Sequence, residues 1–367
     1  MNRLQRLQRA GVSIWLDTLS RELLHNGAFK RLVRDFAVTG ATSNPTIFAN
    51  AITGSARYDE QLRALAAAGV CDPQELFFAL ALDDVRAAAE VLAPVHERTA
   101  GRDGFISFEC TPDLADDTEA TIEQALDLWS RLARSNVMIK VPATAAGVPA
   151  IEELTARGVN VNVTLLFSVA RYEDVIDAYL SGLERRAAAG DTIDGIASVA
   201  SFFVSRVDTK ADAALPEGSA LRGQVAIANA HHAYARYRRR FAGERWHALR
   251  AQGARPQRPL WASTGTKDPA YSDVLYVERL IAPDVVNTMP EKTLVAFADH
   301  GNVDHALDTD HDAVERVLAE ARQAGLDVER ITSELEREGI AAFCASYLKL
   351  LGCIESKLRK LAPEAVP

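Results

Sequence analysis

Cysteine is scarce in this 367-residue sequence, and none of its four cysteines falls in a CxxC or zinc-type spacing. A few scattered thiols in a long chain suit a reducing compartment better than a disulfide framework. The N-terminus has no apolar run of signal-peptide length, and no run approaches the roughly 18 apolar residues of a membrane span. We therefore expect a cytoplasmic protein with no membrane partner.

An excess of basic residues is also missing, because the formal net charge is −9. Nucleic acid or an anionic membrane would call for a basic surface, so neither is expected as the main partner. A local cationic pocket for a phosphorylated metabolite remains compatible with this charge. The Asp- and His-rich stretch at 299–312 lacks a recognised ligand spacing such as HExxH and predicts a solvated loop rather than a metal site.

What the sequence does have is a regular alternation of short β-type runs and longer helical patterns. This alternation predicts parallel βαβ units, either closed as an eight-stranded α/β barrel or open as a doubly wound sheet, and the count of eight favours the (β/α)8 barrel. The predicted strands are 13–19, 36–43, 104–110, 137–143, 160–167, 196–203, 258–264 and 284–290.

Three segments are longer than the connections that eight βαβ units require. We expect one barrel domain over residues 1–367, with helical insertions at about 46–103 and 206–257 and a helical C-terminal tail at about 312–360. Within helix 168–190, Ser168 is the predicted N-cap and Gly190 the predicted C-terminal stop.

Polar side chains stand at the ends of these strands, where a parallel barrel gathers its catalytic groups. Period-2 alternation puts Asn162 and Thr164 on one face of their strand and the branched aliphatic residues on the other, so the polar set is predicted to point into the lumen. The set comprises Asp17, Asn44, Glu109, Lys140, Asn162, Thr164, Ser201 and Ser263.

Lys140 lies in the apolar run VMIKVPA and admits three interpretations. Its amine could reach water beyond the end of the strand, as lysines often do. It could also be the ion-pair partner of Asp17 or Glu109. In an apolar lumen, however, a neutral amine is favoured and can attack a carbonyl, and nearby carboxylates can shuttle protons.

Eight ordered segments resemble the transaldolase family, the class I Schiff-base enzymes of the pentose phosphate pathway. The resemblance covers about residues 12–297, fits the longer bacterial branch of the family and implies a (β/α)8 barrel. The segments are LDTLSR, TGATSNPTIF, ISFECTPDLADDTEATIEQA, VMIKVPAT, GVNVNVTLLFS, SVASFFVSRVD, WASTGTK and NTMPEKTLVAF.

The resemblance also implies roles for single residues. Lys140 resembles the Schiff-base lysine, and Asp17 the carboxylate that takes a hydroxyl proton as the carbon–carbon bond breaks. Glu109 resembles an acid/base that works through a water held by Thr164. The resemblance further implies that the hydroxyls of the retained dihydroxyacetone unit are held by Asn44, Asn162 and Ser201.

Arg206 and Ser263 resemble the anchors of the substrate phosphate. The best-known branch carries a second arginine two residues after the serine, where this sequence has Gly265. We infer that Lys267 supplies that cation as a point charge, although a solvated loop lysine is the alternative. The resemblance implies no metal and no cofactor, sugar phosphates as substrates, and a monomer or homodimer.

The sequence alone leaves two other functions as alternatives. A simple aldolase on the same fold would release free dihydroxyacetone, but that relative tends to carry tyrosine where this chain has Phe203 and lacks the glutamate matched by Glu109. A catalytically silent barrel that serves as a binding protein has no need for a lumen lysine flanked by carboxylates.

Overall fold

Eight parallel strands form a closed barrel in which neighbours in the chain are neighbours in the sheet, and the first strand pairs with the last. The computed structural model describes residues 2–304 and 311–361. The closed order confirms the predicted α/β barrel and excludes the open sheet. The strands are β1 (Val12–Leu16), β2 (Val38–Thr42), β3 (Phe105–Glu109), β4 (Val137–Pro142), β5 (Val161–Leu166), β6 (Ser198–Phe203), β7 (Arg258–Ala262) and β8 (Val285–Met289).

The strands form because both of their faces are covered. On β5 every residue is buried, with Val161 and Val163 fully so, as expected for a parallel strand between lumen and helices. Asn162 makes a hydrogen bond across the lumen to Ser107 on β3, two strands away. This bond confirms the predicted inward direction of the polar face.

Helices cover the outside of the barrel and fill the three longer segments. The N-cap prediction is confirmed, because the Ser168 hydroxyl accepts a hydrogen bond from the backbone N–H of Arg171, and Gly190 follows the helix end with a φ of +85°. In the first half of the chain lie α1 (Arg3–Arg9), α2 (Arg21–His25), α3 (Ala28–Asp35), α4 (Pro45–Gly54), α5 (Asp59–Ala67), α6 (Pro73–Arg98), α7 (Thr118–Leu132), α8 (Gly147–Ala156) and α9 (Val169–Ala188).

The second half of the chain carries seven further helices in its described part. The predicted helical insertion at 206–257 contains three of them, and the predicted helical tail contains the last two. They are α10 (Ser205–Ala214), α11 (Val225–Arg240), α12 (Glu244–Arg250), α13 (Leu275–Arg279), α14 (Glu291–His300), α15 (His311–Gln323) and α16 (Val328–Leu361). The stretch 299–312 lies partly outside the described residues, and no metal-binding group of side chains occurs among those described.

The long helix α16 packs along the C-terminal side of the barrel against α4, α6 and α10. Its apolar face is buried there, and Leu350 and Ile354 have no exposed surface. Among the described helices, α16 alone is long and apolar enough to cross a membrane by length and composition, a test that buried helices of soluble proteins also pass. Its Phe343 reaches the mouth of the barrel, which places the tail next to the polar site.

Candidate active site

A cavity of about 260 Å³ opens at the C-terminal mouth of the barrel. Eight of the ten residues expected to form the site contribute to its wall, and the other two, Glu109 and Asn162, lie buried directly beside Lys140 on the neighbouring strands. The eight are Asp17, Asn44, Lys140, Thr164, Ser201, Arg206, Ser263 and Lys267. The fold therefore brings the predicted set together.

Lys140 points into the lumen and is only 5% exposed, so it does not reach past the strand end into water. Its Nζ donates a hydrogen bond to the backbone oxygen of Ser43 at 3.1 Å and lies 3.5 Å from Oε2 of Glu109. The register places Glu109 directly opposite Lys140 on the adjacent strand. At 3.5 Å the contact is longer than the usual 2.7–2.9 Å of a charge-assisted hydrogen bond, so it leaves the amine free to move towards a carbonyl.

The Glu109 carboxyl is buried, and burial raises its pKa above the ordinary 4.5, while the nearby Lys140 opposes that rise. A carboxyl with a raised pKa can hold a proton closer to neutral pH and give it up during a reaction. The 3.5 Å contact with Lys140 is compatible with both the ion-pair interpretation and the acid/base interpretation of Glu109.

Asp17 follows β1 and is held by a chain of hydroxyl groups. Oγ1 of Thr42 lies 2.7 Å from Oδ1 of Asp17, and Oγ1 of Thr288 lies 2.8 Å from the same Thr42 oxygen. Burial raises the pKa of Asp17, and this rise is opposed first by the Thr42 hydrogen bond and then by the charge of Lys140. The carboxylate is thus a stronger base than an exposed aspartate.

Thr164 carries the one lumen hydroxyl that has no hydrogen-bond partner among the described residues. It is completely buried from bulk water but lies on the cavity wall. The next residue, Leu165, has a φ of +55°, which a leucine rarely adopts, and the pairing of β5 with β6 shifts between Val163 and Leu166. An unpaired buried hydroxyl beside a strained backbone is a suitable anchor for a water molecule in the cavity.

The amide residues of the lumen are oriented by their neighbours. Asn162 donates to Oγ of Ser107 at 2.8 Å and accepts from Oγ of Ser201 at 2.7 Å, so its amide has a fixed orientation. Asn44 is the N-cap of α4, and its Oδ1 accepts from the backbone N–H of Ile47 at 3.0 Å. Its amide nitrogen makes no hydrogen bond to any described residue, which leaves two donors for a ligand hydroxyl.

Positive charge gathers on the side of the cavity formed by β6, β7 and the segments that follow them. Arg206 lies between the rings of Phe203 and Phe343, with its guanidinium carbon 5.2 and 6.0 Å from the two ring centres. Burial lowers the pKa of Arg206, and the charge of Asp17 opposes this effect. Ser263 is held at a φ of +57°, with its hydroxyl 2.9 Å from that of Ser205, while Lys267 is exposed at the rim.

Among the residues of this cavity that were not expected from the sequence, three bear directly on the site. Thr42 is the last residue of β2 and Thr288 the last but one of β8, so both could have been found by the same strand-end rule that identified the others. Phe343 could not, because it lies on a helix more than 70 residues beyond the last strand-end residue considered, and its pattern is that of an ordinary amphipathic helix.

A lysine in the lumen of a (β/α)8 barrel, with two carboxylates, a free hydroxyl and an outer cation, is the arrangement of a Schiff-base-forming enzyme. Comparison with known families agrees with this class. Residues 14–354 match the sequence model of the family described as transaldolase/fructose-6-phosphate aldolase. The chain belongs to this family.

Individual relatives are similar to this chain along almost its whole length. A protein named transaldolase from Saccharopolyspora erythraea is 51% identical over 365 residues, which cover 97% of both chains. A transaldolase from Acidothermus cellulolyticus is 50% identical over 98% of both chains. A protein named transaldolase 1 from Streptomyces avermitilis is 50% identical over 97% of this chain and 96% of its own.

Proposed function

We propose that this protein is a transaldolase that moves a dihydroxyacetone unit between sugar phosphates. The donor is sedoheptulose 7-phosphate or fructose 6-phosphate, and the acceptor is glyceraldehyde 3-phosphate or erythrose 4-phosphate. The observation that carries the proposal is the amine of Lys140, enclosed in the lumen 3.5 Å from Glu109 and sharing a cavity with Asp17. Full-length relatives with this name support it.

The first half of the proposed reaction begins at Lys140. Its neutral amine attacks the keto carbon, and the carbinolamine loses water to give an iminium ion. Glu109 supplies and recovers the protons of this dehydration through a water bound at the free hydroxyl of Thr164. General acid–base steps of this kind contribute typically about 10²–10⁴-fold each.

Carbon–carbon cleavage then depends on Asp17. Its carboxylate takes the proton of the hydroxyl on the carbon that becomes the aldehyde. The electrons of the breaking carbon–carbon bond move into the iminium, which becomes an enamine. The aldehyde phosphate leaves. The three-carbon unit stays bound to Lys140 until an acceptor aldehyde adds, and Asp17 returns its proton to the new hydroxyl. The new ketose is then an iminium ion on Lys140, and water activated by Glu109 hydrolyses it to release the ketose and restore the amine. No metal is needed in this scheme, because the iminium accepts the electrons.

The remaining residues bind the substrate in this proposal. Asn44, Asn162 and Ser201 hold the hydroxyls of the retained unit. The phosphate binds at the outer, positively charged side of the cavity, where Arg206 and Ser263 contact it and Lys267 adds a second, exposed cation. The stacking of Arg206 on Phe203 and Phe343 limits the entropy that the side chain loses on binding.

A borohydride-trapping experiment tests this function. Incubation with fructose 6-phosphate and borohydride should attach a reduced dihydroxyacetone unit to Lys140, identified by peptide mass spectrometry. A coupled assay with erythrose 4-phosphate should then show formation of sedoheptulose 7-phosphate. Adduct formation with release of free dihydroxyacetone alone would favour the aldolase, and absence of an adduct would reject both enzymes in favour of a silent barrel.

The matched control is Lys140→Arg, which keeps the positive charge but cannot form the imine. We expect the variant to keep its native circular dichroism spectrum and to lose turnover by at least about 10³-fold, as expected when a covalent nucleophile is removed. Residual turnover near that of the wild type would reject Lys140 as the nucleophile.

We also propose a cytoplasmic location and a monomer or homodimer as the working form. All four cysteines are free thiols, which suits a reducing compartment. Light scattering at several protein concentrations tests the oligomeric state, and fractionation of the native cell tests the location.

A further inference from the structure

A second cavity, of about 390 Å³, lies at the N-terminal end of the barrel, opposite the candidate active site. Its floor is the layer of side chains where the strands begin, including Phe105 on β3, Met138 on β4 and Ser198 on β6. Its outer wall is formed by the end of α11, by α12 and by the loop that leads into β7. It shares no lining residue with the active-site cavity.

Four arginines line this cavity although the whole chain is acidic. Arg102 forms an ion pair with Asp284, and the buried Arg258 lies 3.8 Å from Asp103. The two others, Arg250 and Arg255, form no ion pair with a carboxylate in the part of the chain that the structure describes. Two positive charges at the cavity wall therefore lack a carboxylate counter-ion among the described residues.

The arginines also retain unused donors. A guanidinium carries five N–H groups. Arg258 uses its terminal nitrogens for Oγ of Ser13 and the backbone oxygen of Arg102, and Arg255 donates to the backbone oxygen of Gly101. The remaining donors suit the bidentate contacts that arginine makes with phosphate.

The rest of the cavity wall is apolar and aromatic. Tyr237, Phe241 and Trp246 form a row in which the first pair of rings is tilted and the second is edge-on, with centres 5.1 and 4.9 Å apart. Phe241 is only partly buried, and all three rings line the cavity. Aromatic walls of this kind favour a planar group on the ligand, since ring faces stack and edges contact.

A purely structural role explains only part of this arrangement. The N-terminal face of such barrels normally serves stability, and the backbone bonds of Arg255 and Arg258 do tie loops together there. That role needs neither an open volume nor the exposed and unpaired Arg250. A cavity of this size falls within the roughly 300–1,000 Å³ range of small-molecule sites.

We propose that this cavity binds a phosphate monoester that carries a planar ring, a chemistry typified by a nucleoside monophosphate. The phosphate contacts Arg250 and Arg255, and the ring packs against Phe241 and the neighbouring aromatic side chains. The site is separate from the Schiff-base chemistry, so a test of ligand binding here does not depend on whether the proposed reaction is correct.

Isothermal titration with adenosine monophosphate as the probe tests the proposal. The wild-type protein should bind it with a submillimolar Kd, and inorganic phosphate alone and adenosine alone should each bind at least about tenfold more weakly. The double variant Arg250→Gln/Arg255→Gln should lose affinity by about tenfold or more, since both free charges are removed. Arg250→Gln alone, at an exposed position, should lose about threefold and serves if the double variant unfolds.

Two controls separate this cavity from other cationic surfaces. Arg63→Gln/Arg359→Gln removes two exposed charges elsewhere, and Arg206→Gln removes the cation of the opposite mouth; neither should change the affinity for adenosine monophosphate. Absence of binding to the wild type, an equal loss in the Arg63/Arg359 pair, or a loss in Arg206→Gln would each overturn the proposal. Equal binding of phosphate or of adenosine alone would overturn the assigned ligand class.

Discussion

The hydroxyl of Thr42 lies 2.7 Å from Oδ1 of Asp17 and 2.8 Å from the hydroxyl of Thr288. Since a carboxylate can only accept, Thr42 donates a hydrogen bond to Asp17 and accepts one from Thr288. The bond to Thr42 is the largest of the effects that oppose the burial-driven rise in the pKa of Asp17. Thr42, at the end of β2, thus adjusts the basicity of the carboxylate, and Thr288 holds the Thr42 hydroxyl in place.

Removing this hydroxyl should change the pH dependence of the reaction. In Thr42→Val the hydrogen bond to the charged carboxylate is lost, so the pKa of Asp17 rises further. Because the basic form of Asp17 is required for cleavage, the acidic limb of the kcat/KM profile should move to higher pH. At neutral pH we expect kcat/KM to fall by about tenfold, equivalent to roughly 1.4 kcal/mol.

The matched control for this variant is Thr288→Val, which keeps the Thr42–Asp17 bond and should shift the limb much less. Equal shifts in the two variants, or an unmoved limb in Thr42→Val, would contradict the assignment of the pKa effect to the direct bond between Thr42 and Asp17.

The two cations of the outer cavity should contribute unequally. Arg206 packs against two aromatic rings, whereas Lys267 is exposed to solvent. Arg206→Gln should raise KM for fructose 6-phosphate by at least about tenfold, and Lys267→Gln by about threefold, because an exposed charge is screened by water. Steady-state kinetics on unphosphorylated fructose provides the control, since neither substitution should change KM for a substrate without a phosphate. A larger rise in KM for Lys267→Gln than for Arg206→Gln on fructose 6-phosphate would contradict this prediction.

The thiol of Cys110 should be inert in the native protein. It follows Glu109, is 3% exposed, and burial raises its pKa well above the ordinary range, with the Glu109 charge adding to the effect. The thiolate that reacts with oxidants and alkylating agents is therefore almost absent. Brief treatment with iodoacetamide followed by peptide mass spectrometry should label the exposed Cys71 and leave Cys110 unmodified until the chain is unfolded; rapid native labelling of Cys110 would contradict this.

Asp208 should make the stability of the fold depend on pH. It accepts hydrogen bonds from the backbone N–H of Ala226 and from Oη of Tyr276, yet burial raises its pKa from 3.8 to about 7. The folded chain therefore holds a proton that the unfolded chain releases between about pH 4 and 7. The stabilisation is complete below pH 4 and is lost as the pH rises through 7, at up to roughly 1.4 kcal/mol per pH unit.

Urea unfolding of the wild type and of Asp208→Asn between pH 5 and 8 measures this contribution. The wild-type free energy of unfolding should fall across the range, and the variant should show a flatter curve because its amide does not titrate. Asp116→Asn changes an exposed carboxyl and should keep the wild-type slope. Parallel curves for the wild type and Asp208→Asn would contradict the raised pKa.

The sequence by itself determined the eight strands, and together with the family resemblance it indicated the closed barrel and most of the candidate site. Strand and helix periodicities are local, so eight strands and the caps Ser168 and Gly190 could be read from short stretches. The lumen direction of Asn162 and Thr164 followed from alternation along one strand. The position of a residue at a strand end then placed it at the mouth, because closed parallel barrels gather all their carboxyl ends on one face.

Only the tertiary structure decided how the side chains of the candidate site contact one another. The 3.5 Å contact between Lys140 and Glu109, the hydroxyl relay to Asp17 and the unpaired hydroxyl of Thr164 depend on register between strands far apart in the chain. The arrival of Phe343 at the mouth depends on how a long amphipathic helix packs, since such a helix has one pattern wherever it docks. Distances between elements are properties of packing, and local sequence patterns do not contain them.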